Sequence, residues 1–318
     1  MSARESSSPS PRKERGLGGE VSPLRTALRS KRAGDVIHAA DLARTGEHRE
    51  LGPDLIEAYE RLAANPTRLD PSCSAMEAIV RALDAFEEPA REVYAHAVKH
   101  VQMSPLFDDE MEQIDLAAGM RRQAILAMVR TGDPKALEAA TDLLADPKTV
   151  ARAGAANALR VIGSEAAVML LRYCVKAGER KAEVLTECFA GMLDYSAANL
   201  DLVTVYALGD DEVIASIAAL AIADARPAGA LDVLRGAFSA HRNPDLRDML
   251  LSAIAGLRSD EAVAFLIEMV GRDSVTAISA LTALHPYGAD RGVVARIEAE
   301  AKANKRPEVL ATFRRMFQ

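Results

Sequence analysis

The densest group of side chains able to do chemistry lies in residues 101–113, VQMSPLFDDEMEQ, and continues to Asp115. Asp108, Asp109, Glu110, Glu112 and Asp115 supply hard oxygen ligands of the kind that Ca²⁺ or Mg²⁺ prefers. The EF-hand spacing with its central glycine is absent, so the run reads better as an acidic loop, with Phe107 and Met111 beside the charges, that meets a protein or peptide partner. His96 and His100, four residues apart, share one helical face and could both turn toward a metal. Ala97 stands where a zinc protease carries its general base, and no third ligand is near, so the pair reads as exposed or capping histidines. Arg121, Arg122, Arg130, Arg152 and Arg160 form a basic series that could contact phosphate. No nucleophile stands with a base, and no glycine loop is built to cradle phosphate. The expectation is therefore no catalytic residue, no cofactor, no metal and no enzyme.

These residues must be positioned by helices. Alternating apolar and polar stretches long enough for a strand are missing, and the chain is rich in Ala, Leu, Glu and Arg, all good helix formers. Gly132-Asp133-Pro134, Asp146-Pro147, Gly163-Ser164, Arg226-Pro227 and Asn243-Pro244 punctuate the helices. Ala155, Ala158, Leu159 and Ile162 make one helical face ahead of Gly163. Met120, Arg121, Ala124, Ala127, Met128 and Gly132 take the equivalent places 31 residues earlier. Leu246, Arg247, Leu250, Leu251, Ala253 and Ile254 echo the same face later, and Ala280, Leu281, Ala283 and Leu284 do so once more. The intervening unit around Val184, Cys188, Phe189 and Met192 is degenerate but fits. The preceding helices carry their own echo, each a few residues after a turn, at Ala136-Leu137, Ala167-Val168, Ala230-Leu231, Ala262-Val263 and Val293-Val294. The unit is turn, helix A, turn, helix B. A pair of short helices cannot close a core alone, so each must bury its face against the next.

The segment Arg152-x-x-Ala155-Ala156-x-Ala158-Leu159-x-x-Ile162-Gly163 resembles the second helix of a HEAT repeat, in particular the short variety named after phycobilisome lyases. The resemblance spans roughly residues 50–317 and is strongest over 114–288. It implies an all-α, right-handed α-solenoid of stacked antiparallel helix pairs. It also implies an inter-repeat ladder of Asp115, Arg121, Asp146 and Arg152, in which each Asp stands six residues before an Arg and closes the turn, and each Arg pairs with the Asp of a neighbouring repeat. His241 stands six before Arg247, so the ladder is expected to break there. The helix-B face Ile79, Val80, Ala82, Leu83 and Phe86 lies about 45 residues before its counterpart, roughly 14 more than the period, and the surplus falls in an insert near 102–113.

Residues 1–32, rich in Ser, Pro, Gly and Arg, read as a disordered basic tail carrying a net +5, which leaves −12 on the array at 33–318. The array is net acidic, aromatics are only 4% and tryptophan is absent, which weighs against nucleic acid as a partner. Cys73, Cys174 and Cys188 form no CxxC pair and read as small buried apolar groups. No apolar run is long enough to span a membrane and no signal peptide precedes the array, so a cytoplasmic protein is expected. The leading expectation is a non-enzymatic scaffold or adaptor. It would bind a protein or peptide through its concave face and the insert, with Phe107, Asp108, Asp109, Glu110, Arg122, Arg130 and Arg160 as contacts. The alternatives are a bilin lyase or isomerase-type subunit, which the resemblance permits, and a nucleic-acid-binding HEAT-like protein.

Overall fold

The computed structural model describes residues 18–104 and 113–318. Among the described residues the secondary structure is helical, with no strand and one isolated antiparallel bridge. No helix among them is long and apolar enough to cross a membrane. The chain divides into two compact units, residues 1–133 and 134–318.

The first unit holds α1 Gly18–Leu28, α2 Ala33–Thr45, α3 Gly52–Ala63, α4 Pro66–Leu69, α5 Ser74–Ala85, α6 Arg91–Ala97 and α7 Ala118–Arg130. Three hairpins result, α1/α2, α3/α5 and α6/α7. Helices α2, α5 and α7 pack in one row, and α1, α3 and α6 in another. The stretch read as a tail, 1–32, thus contains a helix that belongs to the array. Val21 and Leu28 are buried, and Leu24 is half-buried between them. Arg61 fastens its end by donating to the carbonyls of Leu28 at 2.5 Å and Ser30 at 2.9 Å, and Arg25 pairs with Asp54 at 2.9 Å. Composition hid this helix. Pro23, Ser22 and two glycines lower its propensity, while tertiary contact with α2 and α3 supplies what propensity does not.

The second unit repeats the hairpin six times: α8 Ala136–Leu143 with α9 Thr149–Ile162, α10 Glu165–Lys176 with α11 Ala182–Tyr195, α12 Leu200–Ala207 with α13 Glu212–Ala225, α14 Ala230–Ala240 with α15 Pro244–Gly256, α16 Asp260–Val270 with α17 Ser274–Leu284, and α18 Arg291–Ala303 with α19 Pro307–Phe317. Each B helix, from α9 to α19, packs on the next B helix. Small residues make that row close. Ala155, Ala158, Ala218, Ala219 and Ala280 are fully buried within it. At Gly191 of α11 an added Cβ would sit 2.6 Å from Leu171 Cδ1 and 3.0 Å from Arg160 Cβ. The degenerate repeat follows the same plan: Val184, Cys188, Phe189 and Met192 are all fully buried.

Several B helices end on a residue in the left-handed region, at Glu47, Glu87, Gly132, Gly163, Arg226 and Arg258, with φ between 48° and 68°. This conformation turns the chain out of the helix and satisfies terminal carbonyls. Gly163 N, for example, donates to Leu159 O at 3.1 Å.

Candidate functional site: the stem of the insert

The insert leaves α6 and returns to α7 through a closed stem. Ser104 N donates to Ile114 O at 2.7 Å and Leu116 N to Gln102 O at 2.8 Å, with Met103 bridged to Asp115. Ile114 N also donates to Ser104 Oγ at 3.1 Å. Phe107, Asp108, Asp109 and Glu110, predicted as partner contacts, lie outside the described residues. Val101, Met103 and Ile114 on the stem are exposed apolar side chains, at 60%, 41% and 60%.

Beneath the stem is a buried polar assembly. Arg121, the fourth residue of α7, is 1% exposed. Its guanidinium donates to Asp115 Oδ2 at 2.7 Å and to the carbonyl of His100 at 2.9 Å. Asp115 Oδ1 accepts from Ala117 N at 3.0 Å and closes the turn into α7. Burial works to raise the Asp115 carboxyl. The Arg121 hydrogen bond and charge, with the amides of Ala117 and Gln102, outweigh it and hold the group below the usual carboxylate range. The Gln102 side chain donates to the Asp70 carbonyl at 2.7 Å, and Asp70 Oδ2 accepts from Met76 N at 2.8 Å. Asp70 stands six residues before Met76, as Asp115 stands six before Arg121. That offset marks it as the same turn residue one repeat earlier, a signal masked by Met in place of Arg.

The histidines serve this assembly as hydrogen-bonding groups. His96 Nδ1 lies 2.8 Å from Tyr59 Oη and His100 Nε2 lies 3.1 Å from Gln102 Oε1, with the two rings 5.3 Å apart. Partial burial, then the neighbouring His100, hold His96 below the usual imidazole range. No group of three or more metal-ligating side chains occurs among the described residues. Cys73 is fully buried nearby. Burial, then the carboxylates of Asp70, Glu77 and Asp115, push its thiol up to about 12, so it stays protonated and unreactive near neutral pH.

The remaining site residues are placed as follows. Asp146 Oδ1 accepts from Lys148 N at 2.7 Å, closing the turn into α9 as Asp115 does into α7. Arg152 donates to the Asp146 carbonyl at 2.9 Å and pairs at 2.7 Å with Glu179, in the turn after α10, where the ladder called for a neighbouring repeat's aspartate, while Arg121 pairs with the Asp115 of its own repeat. Arg247 keeps the same carbonyl contact at the expected break, donating to His241 O at 3.3 Å and Phe238 O at 2.7 Å. A backbone carbonyl needs no aspartate, which is why the residue pattern did not show it. Arg122 is exposed. Arg130 pairs with Asp84 of α5 at 3.4 Å, and Arg160 with Asp194 at 2.7 Å and Glu187 at 3.3 Å, both on α11. These acidic partners lie 27 to 46 residues away in sequence, too far for a local charge pattern to reveal. Two of the three arginines read as contacts thus already face carboxylates on an adjacent B helix. Burial raises the Asp84 carboxyl, with Arg130 and the Gln123 hydrogen bond opposing it.

No protein-family model matches the chain, and no curated protein does. Among solved structures it is similar to a chain in the complex of CpcE and CpcF of phycocyanin lyase from Nostoc sp. PCC7120. The identity is 16% and the TM-score 0.35, over 94% of this chain and 99% of that one. The expectation that the chain is not an enzyme is given up here, because the matched structure is of an enzyme. The physical reason is general. A repeat array can bring catalytic groups together from distant repeats, which no contiguous motif records.

Proposed function

We propose that the chain is a HEAT-like repeat protein of the cytoplasm that holds a protein or peptide partner, engaging it through the 102–113 insert and the exposed face of its B helices. The stem carries this reading. Two backbone hydrogen bonds close it, a buried ion pair pins its base, and three apolar side chains stand exposed on it. Ordering a loop's ends lowers the entropy lost when the loop is bound. Phe107, Asp108, Asp109 and Glu110 are the contacts such a loop would offer, with Arg122 nearby in sequence on α7. In the second unit Val150, Val161, Val213, Leu220 and Val275 add exposed apolar surface to the B helices.

The test is affinity capture from native lysate. It compares the intact chain, a form lacking residues 104–112, and the triple variant Val101→Ser, Met103→Ser, Ile114→Ser. Both altered forms are expected to keep their helical circular dichroism and to lose proteins that the intact chain retains. An unchanged captured set with the deletion removes the insert from this function.

A further inference from the structure

In the second unit a groove runs across two successive repeats, over α14, α15, α16 and the start of α17. Its two lobes, of about 440 and 260 Å³, meet at Phe238, Arg247, Asp273 and Thr276. A stacked pair stands between them. The Arg247 guanidinium lies 3.8 Å from the centre of the Phe238 ring, and its Nη1 donates to the carbonyls of Phe238 at 2.7 Å and His241 at 3.3 Å. In the larger lobe Arg235 lies 5.0 Å over the Phe265 ring, and the two rings meet edge to face at 6.2 Å. A guanidinium laid on an aromatic face keeps its N–H edge directed outward, preset for an anion.

The charges on the groove do not cancel pairwise. Arg272 lines the larger lobe and is taken up by Glu268 at 2.8 Å. Asp273 caps α17, accepting from Thr276 N at 3.1 Å, and Asp248 stands exposed in the smaller lobe. The exposed guanidinium groups of Arg235, in the larger lobe, and Arg242, in the smaller, enter no ion pair or hydrogen bond among the described residues. On a chain of net charge −7, two uncommitted arginines thus flank an aromatic floor. Arginine beside buried aromatic rings is the composition of an interface anchor.

We propose that this groove binds an extended acidic peptide segment of a partner protein. One carboxylate pairs with Arg235, an apolar side chain rests on Phe265 and Met269, and a second carboxylate pairs with Arg242. The division into lobes favours a chain over a compact anion. A small molecule fills one lobe and meets one of the two uncommitted arginines, whereas a peptide crosses the Arg247–Phe238 stack and meets both. The inference goes beyond the reading above, since the insert does not enter it.

The experiment pans a random octapeptide display library on the full chain and measures the selected peptides by fluorescence anisotropy. The expected selection is of peptides in which Asp or Glu alternates with apolar residues, with binding that weakens as salt rises. The double variant Arg235→Gln, Arg242→Gln is expected to lower the affinity about tenfold or more, through lost charge-assisted hydrogen bonds. Arg314→Gln with Arg315→Gln, an equal loss of charge at exposed positions off the groove, should leave it unchanged. The form lacking residues 104–112 should bind the same peptides as the intact chain, which separates a failure here from a failure of the insert. Four results would overturn the proposal: no enrichment of acidic peptides, equal weakening by the two double variants, loss of binding in the deletion, or displacement of the peptide by benzoate at equal concentration, which would make a small anion the occupant. The selection uses the unaltered chain, so it stands even where a variant folds poorly.

Discussion

Arg121 and Arg152 occupy the same place in their repeats, the fourth residue of a B helix, yet they work under different conditions. Arg121 lies beneath the insert stem with its side chain 2% exposed, holding Asp115 and the carbonyl of His100. Arg152 leaves 17% of its side chain exposed and holds Glu179 and the carbonyl of Asp146. Arg247 is a third example, with the face of the Phe238 ring 3.8 Å away. What the three share is donation to a backbone carbonyl ahead of their own helix. The anion or ring beside the guanidinium is set locally. At the insert that carbonyl lies 21 residues back instead of six, so one side chain ties both legs of the stem to α7. A structural residue of the ordinary repeat has become the clamp of the insert's stem.

The largest effect that would break this comparison is on stability. Arg121→Met removes one partner of a buried ion pair and leaves the Asp115 carboxylate desolvated, which costs about 3–5 kcal/mol. Arg152→Met removes hydrogen bonds at a partly solvated site, where Glu179 can rehydrate, and is expected to cost about 1–2 kcal/mol. Urea unfolding of both variants measures the difference. Hydrogen exchange at the Ser104 and Leu116 amides should quicken in Arg121→Met and stay unchanged in Arg152→Met. Equal costs would mean that burial beneath the stem is not what distinguishes the two arginines.

The second effect lies in acid. Asp115 has a folded pKa below its unfolded value, so its contribution is complete above the ordinary carboxylate range and is lost as pH falls through the folded pKa. Asp84 has the opposite sign. Its folded pKa is raised, so the folded state holds the proton more tightly than the unfolded one, and stability declines as pH rises from the unfolded value through the folded one. Asp115→Asn should therefore flatten the acid-side loss of stability, and Asp84→Asn should steepen it. Urea midpoints between about pH 3 and pH 6 span the carboxylate range. The same change of slope in both variants would contradict the assignment of opposite signs.

The repeat itself was legible because helix periodicity and small-residue faces are local. Ala155, Ala158 and Leu159 lie in the core as their spacing predicts, and so do Val184, Cys188, Phe189 and Met192 of the degenerate repeat. Helix ends were legible where a glycine or an X-Pro step marks them, as at Gly163, Arg226-Pro227 and Asn243-Pro244. The left-handed residue itself was announced only by glycine: Gly132 and Gly163 take that conformation, but so do Glu47, Glu87, Arg226 and Arg258. The helix α1 went unread for the reverse reason, since its composition argues for a tail while its buried edge binds α2 and α3. At the stem, Asp115 and Arg121 stood out through their offset of six. Gln102 and Tyr59 did not, because each acts through a contact 13 to 37 residues away in sequence, and Asp70 did not because Met76 stands six residues on where the pattern has an arginine.

The smallest effect concerns the arginines read as a binding patch. Arg160 sits at the seam of α9 and α11 with 37% of its side chain exposed, so water and salt compete for its pairs with Asp194 and Glu187. Replacing it with methionine keeps a flexible apolar stem where Arg160 Cβ and Cγ pack close to Gly191, and removes only the charge. The expected cost is about 0.5–1 kcal/mol, and it should shrink as ionic strength rises past the point where the screening length reaches roughly 3 Å. Arg160→Ala should cost more than Arg160→Met at every salt concentration, because it also strips the methylenes that cover Gly191. If methionine and alanine prove equal, the seam is held by charge alone. The close approach at Gly191 would then be a consequence of alanine-rich packing along the B row, with the arginine contributing nothing to it.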